Sequence, residues 1–376
     1  MSEDTIFGFG CMRLPQTDEK NPESINQEEF NKMVDYYMEN GFNYFDTSYA
    51  YHNGKSEIAI KKAVIDRYPR ESYKIADKLP TWLLQKTEDN EKYFNEMLER
   101  LNIKYFDNLF IHNINKSWLK QAKKANTFDF VKKIKEEGKA KQIGFSFHDL
   151  PELLEETLKE YSEIFDFVQL EINYFDWEDP ILQAKKCYEI VSKYNLDIYV
   201  MEPLKGGTLV NINEEIKKDF KKINPNASIA SYALRFWASL KNVKVVLSGM
   251  NKYEDVVDNC KTFTNFKPLN KEELKFLEKE AEKLRKAIPI HCSYCNYCIE
   301  HCPVEIPIPE YFNFYNNNAQ TPGSHLPSFY YGIASAESAP AKDCIECGTC
   351  VDYCTQKINI PEELKKVSKL FDTPEE

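Results

Sequence analysis

No stretch of this chain approaches the roughly 18 uninterrupted apolar residues of a membrane-spanning helix, so a spanning helix is excluded. An excess of positive charge is missing too. Asp and Glu number 60 against 49 Lys and Arg, for a formal net charge of -11. A uniformly acidic surface repels phosphate backbones and anionic lipid, which argues against nucleic-acid and membrane partners. The opening residues, Met1-Ser2-Glu3-Asp4-Thr5, lack a basic segment followed by an apolar one. No secretory signal is read there, and the cytoplasm is the expected compartment. Low-complexity tracts and solenoid-length repeats are absent. What remains is ordinary globular usage over 376 residues, 42% apolar and 29% charged. That is enough for one large α/β domain and a small one.

Cysteine is unevenly spread. Of eleven, eight lie between Cys292 and Cys354, while Cys11, Cys187 and Cys260 are scattered. Disulfides do not persist in a reducing cytosol, so a cluster of this kind reads as metal ligands. The first run is Cys292-x2-Cys295-x2-Cys298-x3-Cys302-Pro303, and the second is Cys344-x2-Cys347-x2-Cys350-x3-Cys354. This is the spacing of bacterial two-cluster ferredoxins, in which the fourth cysteine of each run ligates the other cluster. The pattern predicts one [4Fe-4S] cluster on Cys292, Cys295, Cys298 and Cys354, and a second on Cys344, Cys347, Cys350 and Cys302. A pair of zinc sites is the competing reading, but zinc has little use for a third regularly spaced cysteine followed by proline. The second run carries Thr355 where the first has Pro303, and the linker from Cys302 to Cys344 is long.

Ahead of this region, short apolar runs alternate with amphipathic stretches. Strands are expected at Asn43–Phe45, Tyr73–Ala76, Asn108–Ile111, Gln142–Phe145, Phe167–Leu170, Asp197–Met201 and Val243–Leu247, with a weaker one at Ile6–Phe9. Between them lie helical patterns. One opens after Asn26, carries Phe30, Met33, Val34, Tyr37 and Met38, and stops at Gly41; another carries Phe94, Met97, Leu98 and Leu101. Eight strand–helix units predict a (β/α)8 TIM barrel over residues 1–285, with an open doubly wound sheet as the competing arrangement. Composition changes after Ile288-Pro289, and residues 286–376 are expected to form a small ferredoxin-like iron–sulfur domain. It shows little helical periodicity before a short terminal helix from Pro361. Its order is expected to come from its ligands.

In a barrel of this kind, chemistry sits at the C-terminal strand ends. Four polar residues fall there. Asp46 and Tyr51 follow the second strand in Phe45-Asp46-Thr47-Ser48-Tyr49-Ala50-Tyr51-His52-Asn53-Gly54, Lys78 follows the third, and His112 the fourth. Together they resemble the Asp–Tyr–Lys–His tetrad of the aldo-keto reductase family. Gly8-Phe9-Gly10-Cys11-Met12-Arg13, Gly144-Phe145-Ser146, Gln169-x-Glu171, Val245-Val246-Leu247-Ser248-Gly249 and Asp258-Asn259 extend the likeness in register. With the cysteine-rich tail, the chain resembles the iron–sulfur branch of that family.

The resemblance implies roles. A ketone oxygen gains negative charge as hydride reaches its carbon, and a phenol can protonate it if a nearby ammonium lowers the phenol's pKa from about 10. Tyr51 is then the general acid/base, Lys78 the cation beside it, Asp46 the group fixing Lys78, and His112 a donor orienting the carbonyl. A nicotinamide dinucleotide is implied across the barrel mouth. It would touch Gly10, Cys11, Met12, Arg13, Ser146, Gln169, Met201, Pro203, Leu204, Gly206, Ser248, Gly249, Met250, Asp258 and Asn259, with a helix opening near Tyr253 for its phosphates. Two departures fall where the nicotinamide should sit. Ser146 is followed by Phe147 rather than Asn, and Met201 replaces a stacking aromatic. No Arg cluster marks a 2′-phosphate pocket, although Lys252 could serve. NADH, NADPH and a flavin therefore all stay open.

The expected function is an iron–sulfur aldo-keto reductase that interconverts a small carbonyl compound and its alcohol, with electrons passing through the clusters to a ferredoxin-like partner. Two alternatives stand beside it: an electron-transfer protein with a non-catalytic barrel, and a reductase whose clusters are structural only. Thr81-Trp82 and Tyr174-Phe175-Asp176-Trp177 are candidates for an aromatic-lined substrate pocket or for lid packing.

Overall fold

A computed structural model describes residues 6–18, 21–179, 183–207, 209–210, 212, 214–286, 289–290, 292, 298–299, 301–320, 323–352, 354 and 358–373. The chain divides into two compact units. One comprises Met1–Glu178, Leu182–Leu204 and Asn226–Glu272, the other Asp179–Ile181, Lys205–Pro225 and Glu273–Glu376. The longest segment of the second unit begins at Glu273.

The first unit is a closed barrel of parallel strands β1 (Ile6–Gly10), β2 (Tyr44–Asp46), β3 (Lys74–Leu79), β4 (Phe106–Ile114), β5 (Ala140–Phe147), β6 (Phe167–Glu171), β7 (Asp197–Met201) and β8 (Val243–Gly249). Each strand pairs with the next, and β8 closes onto β1 with Gly8 opposite Leu247 and Gly10 opposite Gly249. That closing pair excludes the open doubly wound sheet. All eight expected strands are present, and six of them run longer than their apolar runs because polar strand ends such as Lys78 and Ser248 still pair.

Helices α1 (Gln27–Glu39), α2 (Lys55–Ile60), α3 (Thr87–Leu101), α4 (Lys116–Lys124), α5 (Thr127–Glu136), α6 (Pro151–Tyr161), α7 (Ala184–Lys193), α8 (Glu214–Ile223), α9 (Ile229–Phe236), α10 (Tyr253–Thr264) and α11 (Lys271–Lys286) follow in chain order. The start of α1 is set by Asn26, whose side chain accepts the Glu29 N–H and satisfies one orphan donor of the first turn. Phe30, Met33, Val34 and Tyr37 are its buried face. The Tyr37 hydroxyl donates to the Phe7 carbonyl at 2.6 Å, fastening the helix to β1.

Inside the barrel, Tyr44, Ala76, Phe110, Phe167, Tyr199, Val245 and Leu247 form one layer. Stacking of Phe167 on Tyr199, with centroids 4.1 Å apart, fills its centre. There is no room for a methyl group at Gly144, where a Cβ would lie 2.3 Å from the Phe167 carbonyl oxygen. Phe110 forms the floor on which the polar groups above it rest.

In the second unit, α12 (Ile308–Gln320), α13 (Leu326–Glu337), the short α14 (Thr349–Asp352) and α15 (Ile360–Phe371) enclose a core of Ile306, Ile308, Tyr311, Phe312, Tyr331, Leu364 and Val367 with Cys298, Cys350 and Cys354. Composition hid α12 and α13 behind Asn and Pro. Asn316 is buried because its amide closes a two-way pair with the backbone of Ile290, at 2.9 and 2.8 Å. A polar residue so satisfied behaves as a core residue. In the same unit Phe220 of α8 meets Phe276 of α11 edge to face at 4.9 Å, and Lys283 pairs with Asp219 at 2.6 Å.

Candidate active site and cysteine cluster

The barrel brings the four expected polar residues together. Lys78 Nζ lies 2.5 Å from Asp46 Oδ1 and donates to the Thr47 carbonyl at 2.7 Å. Both side chains are sealed from solvent. The same ammonium stands 5.0 Å from the centre of the Tyr51 ring and 5.2 Å from that of Phe110. His112 meets Tyr51 edge to face at 5.9 Å, and the Trp82 ring lies 5.2 Å from the imidazole, centre to centre. The Thr81 hydroxyl donates to the His112 carbonyl at 2.6 Å. Thr81-Trp82 therefore braces His112.

Tyr51 owes its place to the residues after it. His52 and Asn53 both adopt φ of 53°, and Gly54 has φ of 81°. Left-handed backbone is costly outside glycine. His52 is held there by the Pro22 carbonyl at Nδ1, 2.6 Å away, and by the Leu14 N–H on Nε2, 3.0 Å away. The loop carrying Tyr51 is thereby tied to the loop carrying Arg13.

Burial and charge set the protonation states. Burial works to lower the pKa of Lys78, but Asp46 and then Tyr51 outweigh it, so Lys78 stays charged. At Tyr51 burial raises the phenol pKa, and Lys78 opposes it without reversing it. The expectation of a net lowering is not met: the cavity wall outweighs the cation. Burial, then Lys78, then His148 hold the His112 imidazole well below its ordinary value, so it is neutral. His148 itself is pushed down to about 4 by burial and Lys78. Cys11, also buried, has its thiol pushed well above the ordinary range by burial and then by Asp46.

In the first unit the expected cofactor residues lie on or just after strands β1, β5, β6, β7 and β8 and on α10. Among the described residues Gln169 Nε2 and Arg13 Nε and Nη2 are buried without a close hydrogen bond, although Gln169 stands near enough to Asp46 to lower its carboxyl pKa. Arg13 Nη1 pairs with Glu202 Oε1 at 3.1 Å. Ser146 Oγ accepts the Asn113 N–H at 2.8 Å, and Asn259 donates to Ser248 Oγ at 2.9 Å. Met12 is exposed, Met201 half-buried, and Met250 buried. Asp258 lies on α10, whose first turn carries Glu254 and Asp255, charges that oppose an anion at that helix end. Gly206 belongs to the other unit.

Sequence reasoning missed two pairings. Ser48 Oγ lies 2.9 Å from His112 Nδ1. Behind Lys78, Asp77 Oδ1 accepts the Lys78 N–H at 2.8 Å, while Glu57 pairs with Arg100 at 2.7 Å. Glu57 and Asp77 face one another through a carboxyl–carboxyl hydrogen bond, and burial raises the pKa of both. Their signal was local: Ser48 is two residues past Asp46, and Asp77 precedes Lys78 on the opposite face of the strand.

In the second unit, Cys302, Cys344, Cys347 and Cys350 line one apolar pocket with Pro303, Ile306, Gly348 and Leu364. Cys302 comes from the first run and the other three from the second, the expected crossed set. Burial pushes the Cys350 thiol up to about 11, followed by neighbouring Cys344, Cys302 and Cys347. Backbone N–H groups point at two sulfurs in the same way: Ile306 at Cys302 and Ile358 at Cys354, both at 3.4 Å. Among the described residues no three His, Cys, Asp or Glu close on a single ion. Four thiolates that each take a separate iron of a cubane need a wider setting than one ion does. Of the other expected set, Cys298 and Cys354 share one core with Cys292 against it, and Cys295 lies outside the described residues.

The aldo/keto reductase family model matches residues 7–282. The chain belongs to the aldo/keto reductase family. A 4Fe-4S dicluster domain follows it over residues 291–358. This aldo/keto reductase is similar to a curated protein described as probable aldo-keto reductase 1 of Glycine max, 28% identical over 209 residues, which are 54% of this chain and 56% of the relative. The chain thus spans about half the length of that curated relative. Among solved structures, the holo form of an aldo-keto reductase from Bacillus halodurans superposes with a TM-score of 0.60 at 20% identity, over 73% of this chain and 91% of its own. An aldo/keto reductase from Klebsiella pneumoniae in complex with NADP and acetate gives 0.56 at 18% identity, over 73% and 90%. At these identities the likeness is one of fold. Among the described residues of this aldo/keto reductase, no helix is long and apolar enough to cross a membrane.

Proposed function

We propose that this protein reduces a small carbonyl compound to its alcohol, and runs the reverse reaction, at the mouth of the barrel. The observation that carries the reading is the assembled set: Tyr51 beside a buried, charged Lys78 that Asp46 holds at 2.5 Å, with His112 at the ring edge. A nicotinamide cofactor fits the mouth. Among the described residues Gln169 Nε2, which faces Asp46, and two Arg13 N–H groups make no close hydrogen bond and could serve an acceptor such as a carboxamide oxygen. When bound there, NAD(P)H supplies the hydride. Gln169 and Ser146 would hold its nicotinamide, and Arg13 its anionic part.

The chain's own residues do the rest. A substrate oxygen placed between Tyr51 and His112 receives hydrogen bonds from both. As negative charge grows on that oxygen, the Tyr51 proton moves to it and Lys78 stabilises the phenolate left behind. Carbonyl, hydride and proton together give the alcohol, and a proton from solvent restores Tyr51. Phe110 and Trp82 keep bulk water from the site.

The clusters are proposed to exchange electrons with a ferredoxin-like partner in a reducing, cytoplasmic setting. Each cluster passes one electron at a time whereas a hydride carries two, so exchange between the clusters and the carbonyl site would need a mediator such as a flavin. A second reading, that the clusters brace the fold, is favoured by the presence of Cys298, Cys350 and Cys354 in the hydrophobic core of their unit.

The test is turnover of short-chain aldehydes and ketones with NADH and with NADPH by anaerobically purified protein, beside Tyr51→Phe. The expected result is turnover that falls at least a hundredfold in Tyr51→Phe. Equal turnover in the variant, or none with either nucleotide, would overturn the reading. Bleaching of the cluster absorbance by NAD(P)H would support electron exchange. Cys347→Ser with unchanged turnover per folded molecule would favour bracing.

A further inference from the structure

Two histidines flank Tyr51, and their hydrogen bonds assign them opposite tautomers. His52 Nδ1 faces the Pro22 carbonyl oxygen at 2.6 Å. A carbonyl only accepts, so that nitrogen carries the proton. His52 Nε2 then has a lone pair, which the Leu14 N–H uses at 3.0 Å.

At His112 the partner is a hydroxyl, which could donate or accept. Ser48 Oγ lies 2.9 Å from Nδ1. Counting donors decides the direction. Ser48 is fully buried, and its hydroxyl makes no other hydrogen bond among the described residues. If Nδ1 carried the proton, Ser48 would have to accept it, and the buried Ser48 O–H would have no acceptor. A buried donor left unmade costs roughly 1–3 kcal/mol. If Nδ1 is bare, Ser48 donates to it and every proton in the pair is used. The imidazole is neutral, because burial, Lys78 and His148 all oppose a second proton. One ring proton therefore remains, and it is on Nε2.

We infer that Ser48 is a positioning residue that locks His112 in the Nε2–H tautomer, so that the ring offers a donor and not a lone pair to the barrel mouth. Nε2 makes no hydrogen bond to described residues of the protein, which leaves this donor for a ligand. The Tyr51 hydroxyl is the other donor at that place. Two donors facing one point favour an oxygen that only accepts, which is a carbonyl. The opposite tautomer would present a lone pair there and favour the hydroxyl of an alcohol. Ser48 thus biases the site toward binding the carbonyl form. The tautomer follows from the hydrogen bonds alone; its effect on catalysis rests on the carbonyl-reductase reading.

The experiment is a long-range proton–nitrogen correlation spectrum of the oxidised holoprotein carrying 15N-labelled histidine. The chain has 6 histidines, and the His112 signals are assigned by their loss in His112→Asn. His52 serves as the internal reference for the opposite tautomer. The expected result is a protonated Nε2 and bare Nδ1 at His112, with the reverse at His52. A protonated Nδ1 at His112 in the wild-type protein, or an even mixture, overturns the inference. In Ser48→Ala the expected result is a mixture of both tautomers and a kcat/KM for carbonyl reduction lower by about tenfold. An unchanged tautomer in Ser48→Ala also overturns it. If Ser48→Ala does not fold, the wild-type spectrum decides alone. An absence of carbonyl turnover with His112 found as Nε2–H would sink the reductase reading and leave the Ser48 assignment standing.

Discussion

Lys78 and Asp46 form a buried ion pair, 2.5 Å between nitrogen and oxygen, with Gln169 also near the Asp46 carboxylate. Breaking such a pair from one side strands a buried charge, at a cost of roughly 3–5 kcal/mol. Lys78→Met should lower the denaturation midpoint of the barrel and abolish carbonyl turnover. Adding Asp46→Asn to Lys78→Met should restore most of the stability and none of the turnover. A double-mutant cycle in urea, read beside activity, checks both. Equal instability of the single and double variants would count against the pairing.

Glu57 has its carboxyl pKa raised by burial from the ordinary 4.5 to about 7, against the opposing pull of Arg100. The folded protein then binds a proton that the unfolded chain releases. Between pH 4.5 and about 7, stability should fall as pH rises, by roughly 3 kcal/mol at most. Glu57→Gln keeps an acceptor for Arg100 and offers Asp77 a donor. Its unfolding midpoint should be flatter across that range. A steeper dependence in the variant would contradict the assignment.

Gly144 is fixed by contact, not by backbone conformation. A methyl group there would collide with the Phe167 carbonyl and ring at 2.3–2.4 Å. Gly144→Ala should destabilise the barrel by about 2–3 kcal/mol, as overpacking does. The far-ultraviolet melting curve reports it. A neutral result would mean that β5 and β6 can part more easily than their register implies.

Cys302 stands with Cys344, Cys347 and Cys350 around one pocket. Cys302→Ser should therefore disturb the cluster of the second run, not that of its own. Anaerobic protein should lose between one iron and about half of its iron. Electron paramagnetic resonance before and after adding Cys347→Ser distinguishes the two. If the two substitutions affect separate clusters, the crossed ligation is wrong.

Much of the barrel was legible in the sequence, and the reason is burial. Parallel strands covered on both faces read as apolar runs, so Val243–Leu247 and Asp197–Met201 stand out without any alignment. The polar tetrad was legible because Asp46, Lys78 and His112 interrupt or end such runs and Tyr51 follows shortly after one. Side-chain pairings across elements were not. Ser48 meets His112, and Glu57 acts on Asp77, only once β2, β3, β4 and α2 are docked. The net pKa of Tyr51 was misjudged for a related reason: a neighbouring cation can be read from the chain, while the volume of apolar wall around a ring cannot. In the cysteine-rich region, α12 was hidden because asparagines reads as a loop, and Asn316 is a core residue only through its bonds to Ile290.

Residues 205–225 group with the chain from Glu273 onward, and Phe220 and Asp219 find Phe276 and Lys283 there. On the ribosome this excursion emerges about fifty residues ahead of those partners. At usual elongation speeds, the delay lasts seconds, longer than a helix or a local collapse takes to form. During that interval the Phe276 ring that Phe220 meets has not yet been made. Slowing translation between α9 and α11 should therefore lengthen the chaperone dependence of the nascent chain, and speeding it should shorten it.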